Sequence, residues 1–402
     1  MDTTKNFFLA KQEITRQKLR VKLKTALFTS IAAVIFLSSL IGIVYFLGFN
    51  LLRDKAVESQ SEMARTLAAS VKATVEKEAE LLKLNANSQF VIDALKKNNL
   101  KYLKKDEKEI QRYLMDMDKR WIEAPADHPF LKDYLENGLS LRLRELKLEK
   151  EELVTVLVID KFSGLTGSTA RQSGFYSFDQ DWWLNSYAKG RGKLFVGGVE
   201  YDEESNLWCL PFAAPVEDET GDVIGVYKAA VSIDTFFKPL VDFKLGKTGN
   251  VVIADDKAFL VYHYKASPFA NKFCEYEEFQ KTLQNVDKWG VLDSAYLNRG
   301  KTLVAYSEVA SPLLSAKGIN WFVFVERDLR EIFGPLYRLI FTMIIIGIAL
   351  TIILALSVFI LSGQEPPSYS MLQVIKDNAK AKTEQSDINP AEERAKRVHK
   401  EK

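Results

Sequence analysis

The sequence predicts an α+β fold: a long N-terminal helix plus two antiparallel-sheet units, flanked by two transmembrane helices. Three observations carry this reading. Two long stretches without a single charge lie near the two ends of the chain. An apolar stripe at helical spacing follows the first of them, and β-branched runs punctuated by glycine and acidic turns fill the second half of the intervening segment. Composition excludes other classes. With 55 Lys+Arg against 53 Asp+Glu and a formal net charge of +2, there is no basic excess to neutralise phosphates, so no nucleic-acid partner is expected. A chain that is 47% hydrophobic and 27% charged is not disordered. Cys209 and Cys274, with His128, His263 and His399, are too few for a Cys/His zinc site or a disulfide framework.

Between Lys24 and Arg53 lie 28 uncharged residues, and between Arg338 and Glu365 lie 26 more. About 20 apolar residues span a bilayer core, so both runs suffice, at 25–49 and 338–362. A buried core helix is the alternative, but two such runs are rare in one soluble protein. A leader of 24 residues is long for a cleaved signal peptide, which favours an uncleaved anchor. That leader (1–24) carries Lys5, Lys11, Arg16, Lys18, Arg20, Lys22 and Lys24 against Asp2 and Glu13. The expected location is the cell membrane, crossed twice. Both termini are then cytoplasmic and the main domain is outside. The second span is less decisive, with Arg327, Arg330 and Arg338 before it and Lys376, Lys380 and Lys382 after it.

Segment 50–150 reads as helical. Val57, Ala64, Leu67, Val71, Val75 and Leu82 form one apolar stripe over a helix predicted to reach about residue 97. Further helices are predicted over 99–121, ending before Ala124-Pro125, and over 131–150. The stripe is expected to pack on the folded domain; a homodimer contact through the same helix is the second reading.

Strands are predicted from residue 153 onward. Residues 153–160 (LVTVLVID) form a β-branched run with the length of a buried strand, and Lys161–Gly164 is its turn. Strands at 194–199, 207–216 and 223–233 follow a short helix at 181–189, and the polar turn Glu217–Gly221 joins the last two. A smaller unit repeats the theme, with strands at 251–254, 259–264, 302–309 and 319–326 and a helix at 276–283. Helix, antiparallel strands and one inserted helix make a PAS-like layout. The two units are expected at 151–244 and 245–330.

Asp181-Trp-Trp183 with Tyr187-Ala-Lys-Gly190, Pro211-Phe-Ala-Ala-Pro-Val216, Gly221-Asp-Val-Ile-Gly-Val226, Ser232-Ile-Asp-Thr-Phe236 and Leu245-Gly-Lys-Thr-Gly-Asn-Val-Val252 occur in order over roughly 50–330. In these residues the segment resembles a double-Cache sensor domain, the tandem PAS-like module of bacterial and archaeal membrane receptors. The resemblance implies a ligand pocket in the membrane-distal unit, lined by 175–183, the strand around Trp208 and the strand carrying Lys228. The residues agree, since Phe175, Tyr176, Phe178, Trp182, Trp183, Tyr187, Tyr201 and Trp208 make this the densest aromatic region. Arg171, Asp179, Asp181 and Lys228 are the groups expected to orient a charged ligand. At least one of the tryptophans is expected to be purely structural.

The amino-acid-binding branch of the family places an arginine two residues before the tryptophan and an aspartate on the late strand. Here Gln180 and Ala230 stand there, and Phe175 replaces a tyrosine. Two charge-assisted contacts, each about 1.5–3 kcal/mol, are thereby missing, so ordinary α-amino acids are not expected to bind in the family manner. No HExxH, GxSxG or P-loop appears, and no catalytic residue, metal ligand or cofactor is expected. His263 is read as structural, and the two cysteines as free or buried thiols. Residues 363–402, opening on Pro366-Pro367, are read as a short, disordered cytoplasmic tail too small for a transmitter. The function expected is a small-molecule receptor signalling through a separate cytoplasmic or membrane protein. The alternatives are a scaffold or regulatory subunit of a membrane complex, or a truncated receptor.

Overall fold

The computed structural model describes residues 2–203, 205–241, 245–293, 295 and 300–361. The expectations about the tail therefore lie outside the described residues. Two bodies divide the chain, one of residues 50–335 and one of the segments on either side.

In the flanking body, helix α1 (Asp2–Ala86) as far as Phe49 meets the C-terminal helix from Leu336 onward. That helix, α11 (Leu329–Leu361), is the last among the described residues. A Cβ on Gly347 would lie 3.3 Å from Leu37 Cδ1, so the glycine lets the two helices approach closely. Phe28, Phe36, Leu47, Phe341 and Ile353 point outward. Both helices are long and apolar enough to cross a membrane.

In the central body, the rest of α1 is followed by α2 (Gln89–Asn99), α3 (Glu107–Glu123), α4 (Pro129–Leu135) and α5 (Gly138–Glu149). The sequence predicts three helices here, and local polar groups cut them differently. Asn87 and Ser88 end α1, their backbone N–H groups turning back onto Lys83 and Asn85. Asp106 and Glu109 form a reciprocal capping box that starts α3 eight residues later than the pattern suggests. Asn137 caps Ser140 N and splits the third predicted helix in two.

The first sheet contains β1 (Leu153–Asp160), β2 (Leu165–Ser168), β3 (Phe195–Val196), β4 (Glu200–Asp202), β5 (Leu207–Glu217) and β6 (Val223–Ser232). Its order is β2-β1-β6-β5-β3, with β4 also paired to β5, and every pairing is antiparallel. Helix α6 (Asp181–Tyr187) is inserted between β2 and β3. Two short helices, α7 (Ile233–Phe236) and α8 (Lys238–Val241), lead to the second sheet. There β7 (Asn250–Asp255), β8 (Leu260–Tyr262), β9 (Trp289–Leu292), β10 (Thr302–Glu308) and β11 (Trp321–Asp328) repeat the order as β8-β7-β11-β10-β9. Helix α9 (Tyr276–Gln284) precedes β9, and α10 (Pro312–Ser315) precedes β11.

Period-2 alternation gives each sheet two buried faces. One face of both sheets joins a single core with the α1 stripe: Ala64, Leu67, Val71, Val75 and Leu82 meet Val156, Phe212, Tyr227, Ile253 and Val323. The opposite face of the first sheet (Leu157, Ile159, Ala213, Val226) is covered by Leu114, Met117 and Trp121 of α3 and by Phe130 and Tyr134 of α4. The corresponding face of the second sheet is covered by Phe273 and by Phe279 of α9.

The second sheet grips the start of α11. Glu331 accepts hydrogen bonds from Lys247 N (3.0 Å), Thr248 N (2.8 Å), Thr248 Oγ1 (2.6 Å) and Arg327 Nη2 (2.8 Å). Partial burial opposes ionisation, but the bonds from Thr248, Lys247 and Arg327 outweigh it and hold the carboxyl at about 2.

Candidate functional site

The face of the first sheet turned away from α1 carries Leu157 on β1, Val226, Lys228 and Ala230 on β6, and Cys209 and Ala213 on β5. The register sets Lys228 between Leu157 and Ala213. Helix α6 lies over this face. Trp182 is 8% exposed and packs into the apolar cluster there, with the Lys228 ammonium 5.0 Å from its ring centroid. Lys228 also pairs with Glu200 Oε1 at 3.6 Å, and Thr155 Oγ1 donates to Asp202 Oδ2 at 3.4 Å. Burial pushes the Cys209 thiol up to about 12, with Asp202 and Glu200 adding to it, so no nucleophile is poised here.

Of the residues the sequence singles out, Trp182 and Lys228 are brought together; the others serve different ends. The Arg171 guanidinium donates to the carbonyls of Trp121 (2.5 Å) and Ile122 (3.2 Å), capping the end of α3. Asp181 accepts from Lys317 Nζ at 2.9 and 3.1 Å, linking α6 to the segment after α10. Asp179 is exposed and accepts from Gln180 Nε2 (3.3 Å). Tyr176 stacks on Phe178 at 4.6 Å, and Phe178 is half exposed. Trp183 stacks on Tyr187 at 5.0 Å, and its indole N–H is buried with no partner among the described residues. Ser186 Oγ, on the same helix, is likewise buried without a partner among the described residues. Trp208 alternates onto the α1 side of β5, with Leu210 and Phe212, against Tyr201 (5.3 Å) and Phe269 (6.0 Å). It thus faces away from Trp182, because residue 208 differs in parity from Cys209 and Ala213. Phe175 is 2% exposed and belongs to the aromatic core with Trp121, Phe130 and Tyr134.

Sequence reasoning does not find Glu200, Asp202 or Thr155; acidic residues on an exposed strand give no signal of what lies across it. It also misses the buried Asp160. The carboxylate accepts from Phe162 N (2.8 Å) and Gly164 N (3.0 Å) on one oxygen, and from Asn98 Nδ2 (2.8 Å) and Tyr102 OH (2.9 Å) on the other. Burial raises it to about 6, against the pull of these donors. His263 is buried and accepts from Lys265 N at 3.1 Å, and burial lowers it to about 4. Cys209 and Cys274 are both free and buried.

Two antiparallel sheets that share one five-strand order, the first with β4 added on β5, stand on one long helix with a short helix laid over the first, and define a tandem PAS-like module. The sequence model of the Cache domain matches residues 50–336, and the chain belongs to that family, a family of sensory ligand-binding domains rather than enzymes. Solved structures similar to this chain include three chemoreceptor domains. The ligand-binding domain of the Pseudomonas aeruginosa amino acid chemoreceptor PctC, in complex with GABA, is 16% identical at a TM-score of 0.41, over 68% of this chain and 100% of that one. That of Pseudomonas fluorescens CtaA with L-isoleucine is 12% identical at 0.45, over 72% and 99%. The sensory domain of Campylobacter jejuni Tlp3 is 10% identical at 0.43, over 70% and 97%. The comparison with curated proteins gave no match.

Proposed function

We propose that the chain is a two-pass membrane receptor that binds a small anionic molecule between α6 and the first sheet. The observation that carries this is Lys228, whose ammonium stands over the Trp182 ring on the sheet face, two residues from Ala230. A ligand carboxylate entering beneath α6 would take Lys228 from Glu200, the exposed partner, while the indole wall keeps water out. The buried N–H of Trp183 and hydroxyl of Ser186 are further donors within α6. Neither Gln180 nor Ala230 can supply the paired charges that an α-amino acid needs. Binding acts by shifting the chain between two arrangements rather than by chemistry, and α11 is the element that carries the shift. The basic leader supports placement of both termini in the cytoplasm.

Calorimetric titration of the full chain in detergent tests this, with monocarboxylates, dicarboxylates and the proteinogenic amino acids as probes. An organic acid should bind, and Lys228→Gln should weaken it by about tenfold to a hundredfold. Micromolar binding of an α-amino acid, unaffected by that substitution, would overturn the reading. Reporter fusions at the N-terminus and at Gly198 test the orientation; activity of a cytoplasmic reporter at Gly198 counts against it. Trp182, buried in the core, favours a second reading in which α6 is a permanent cover and the module only holds a membrane complex together. Failure of every probe to bind would select it.

A further inference from the structure

We infer a second anion site, on the flank of the first module away from α6, in the groove between α2, α4, the start of α5 and β2. This groove encloses about 470 Å³, a volume suited to a small metabolite. Its floor is polar and internally satisfied. Asn98 accepts from Lys101 Nζ (2.6 Å) and donates to Asp160 Oδ2 (2.8 Å) and Thr166 Oγ1 (3.1 Å). Asn137 donates to the carbonyls of Asp133 (3.0 Å) and Thr166 (2.9 Å) and accepts from Ser140 N (2.9 Å). Since both amides are committed, the donors left to meet a ligand are positive.

Lys101 is exposed along its stem, but its ammonium is recessed, 5.5 Å from the Tyr134 ring centroid. The Asn98 bond uses one of its three protons. Burial lowers its pKa, with Asp160 and Asp133 pulling the other way. Lys97, one helical turn earlier on the same side of α2, also lines the groove and has no hydrogen-bond or ion-pair partner among the described residues. The first residues of α5, Gly138 and Leu139, line the opposite wall and add the positive end of a helix of 12 residues. Asp133 is the one carboxylate among the lining residues. Among the groups that line the groove, two ammoniums and a helix start face one carboxylate, while Asp160 lies behind Asn98 in the floor. The ligand class it fits is a small molecule carrying two or more oxyanion groups.

Calorimetry on the full chain in detergent, with citrate, succinate and inorganic phosphate as separate probes, tests the site and distinguishes carboxylate from phosphate chemistry. At least one probe should bind. Lys97→Gln with Lys101→Gln should weaken it by about tenfold or more, and Asp133→Asn should tighten it by about threefold. In a Lys228→Gln background, where the site under α6 is weakened, the binding that depends on Lys97 and Lys101 should persist, so failure here is separable from failure of the site under α6. Lys97→Gln alone, at an exposed position, serves if the double variant does not fold. The inference is overturned if none of the three probes gives heat at about 10 mM. It is equally overturned if the lysine variants bind as tightly as the parent, or if Asp133→Asn weakens binding.

Discussion

The two sheets share one plan and differ in what they do with a single carboxylate. In each, the first strand ends on an aspartate whose Oδ1 accepts from the backbone N–H two and four residues on. Asp160 takes Phe162 and Gly164, and Asp255 takes Lys257 (3.0 Å) and Phe259 (2.8 Å). In each, a residue in left-handed conformation completes the turn (Ser163, φ 69°; Ala258, φ 68°), and the register slips beside it. Asp160, however, offers its other oxygen to Asn98 and Tyr102 of the helical layer and is fully buried, whereas Asp255 stays half-buried and serves the turn. The turn needs one oxygen. In the first module the spare oxygen has become the docking point for the helices that cover the sheet.

Substitutions at the two aspartates should break this comparison if it is wrong. Asp160→Ala takes the acceptor from four donors, three of them buried, and should cost about 3–5 kcal/mol in denaturant unfolding, against about 1–2 kcal/mol for Asp255→Ala. Equal costs would show that the helical layer gains nothing from Asp160.

The next largest effect concerns pH. Asp160 is raised from 3.8 to about 6, so its contribution is present below about pH 4 and is lost as pH rises through about 6, up to about 3 kcal/mol. Unfolding of Asp160→Asn followed from pH 4 to 7 should lack that decline. Glu331 is depressed from 4.5 to about 2, so its contribution is present above about pH 4.5 and disappears as pH falls through about 2. Glu331→Gln should remove this acid-side loss alone.

Two glycines sharpen the contrast further. Gly246 (φ +69°) faces Glu331, whose Oε1 lies closer to its would-be Cβ than any real contact, while Gly221 (φ +86°) has open space around it. Gly246→Ala should cost about 2–3 kcal/mol and Gly221→Ala about 1 kcal/mol, read as shifts in the unfolding midpoint. Smallest of all, Lys317→Ala breaks a pair whose Asp181 side chain is 72% exposed and should cost no more than about 0.5 kcal/mol.

Features that depend on local pattern were legible in the sequence. Strand β1 spans the predicted 153–160, α6 starts at the predicted Asp181, and Gly221 takes the predicted positive φ. The α1 stripe was legible as well, because period-3.6 burial leaves its mark on composition. Features that depend on pairing across the fold were not. Strands β2, β4 and β9 are short and lack a β-branched run, so they exist only through their partners. The breaks at Ser88 and Asn137 rest on local side-chain hydrogen bonds, Ser88 Oγ to the Asn85 carbonyl and Ser140 N to Asn137 Oδ1, that compete with helix-forming neighbours. At the site, the aromatic density was visible, but the face each ring occupies was not. Trp208 and Trp182 therefore read as neighbours while lying on opposite sides of the sheet. The partner of Lys228 sits on a strand too short to predict.

The loop 246–249 closes around Glu331 as a hand closes on a crank. Four hydrogen bonds must be given up together before the first turn of α11 can swivel independently of the second sheet. Sheet and helix root are thereby held as one piece, and the first position past that grip where α11 lacks a backbone N–H is Pro335.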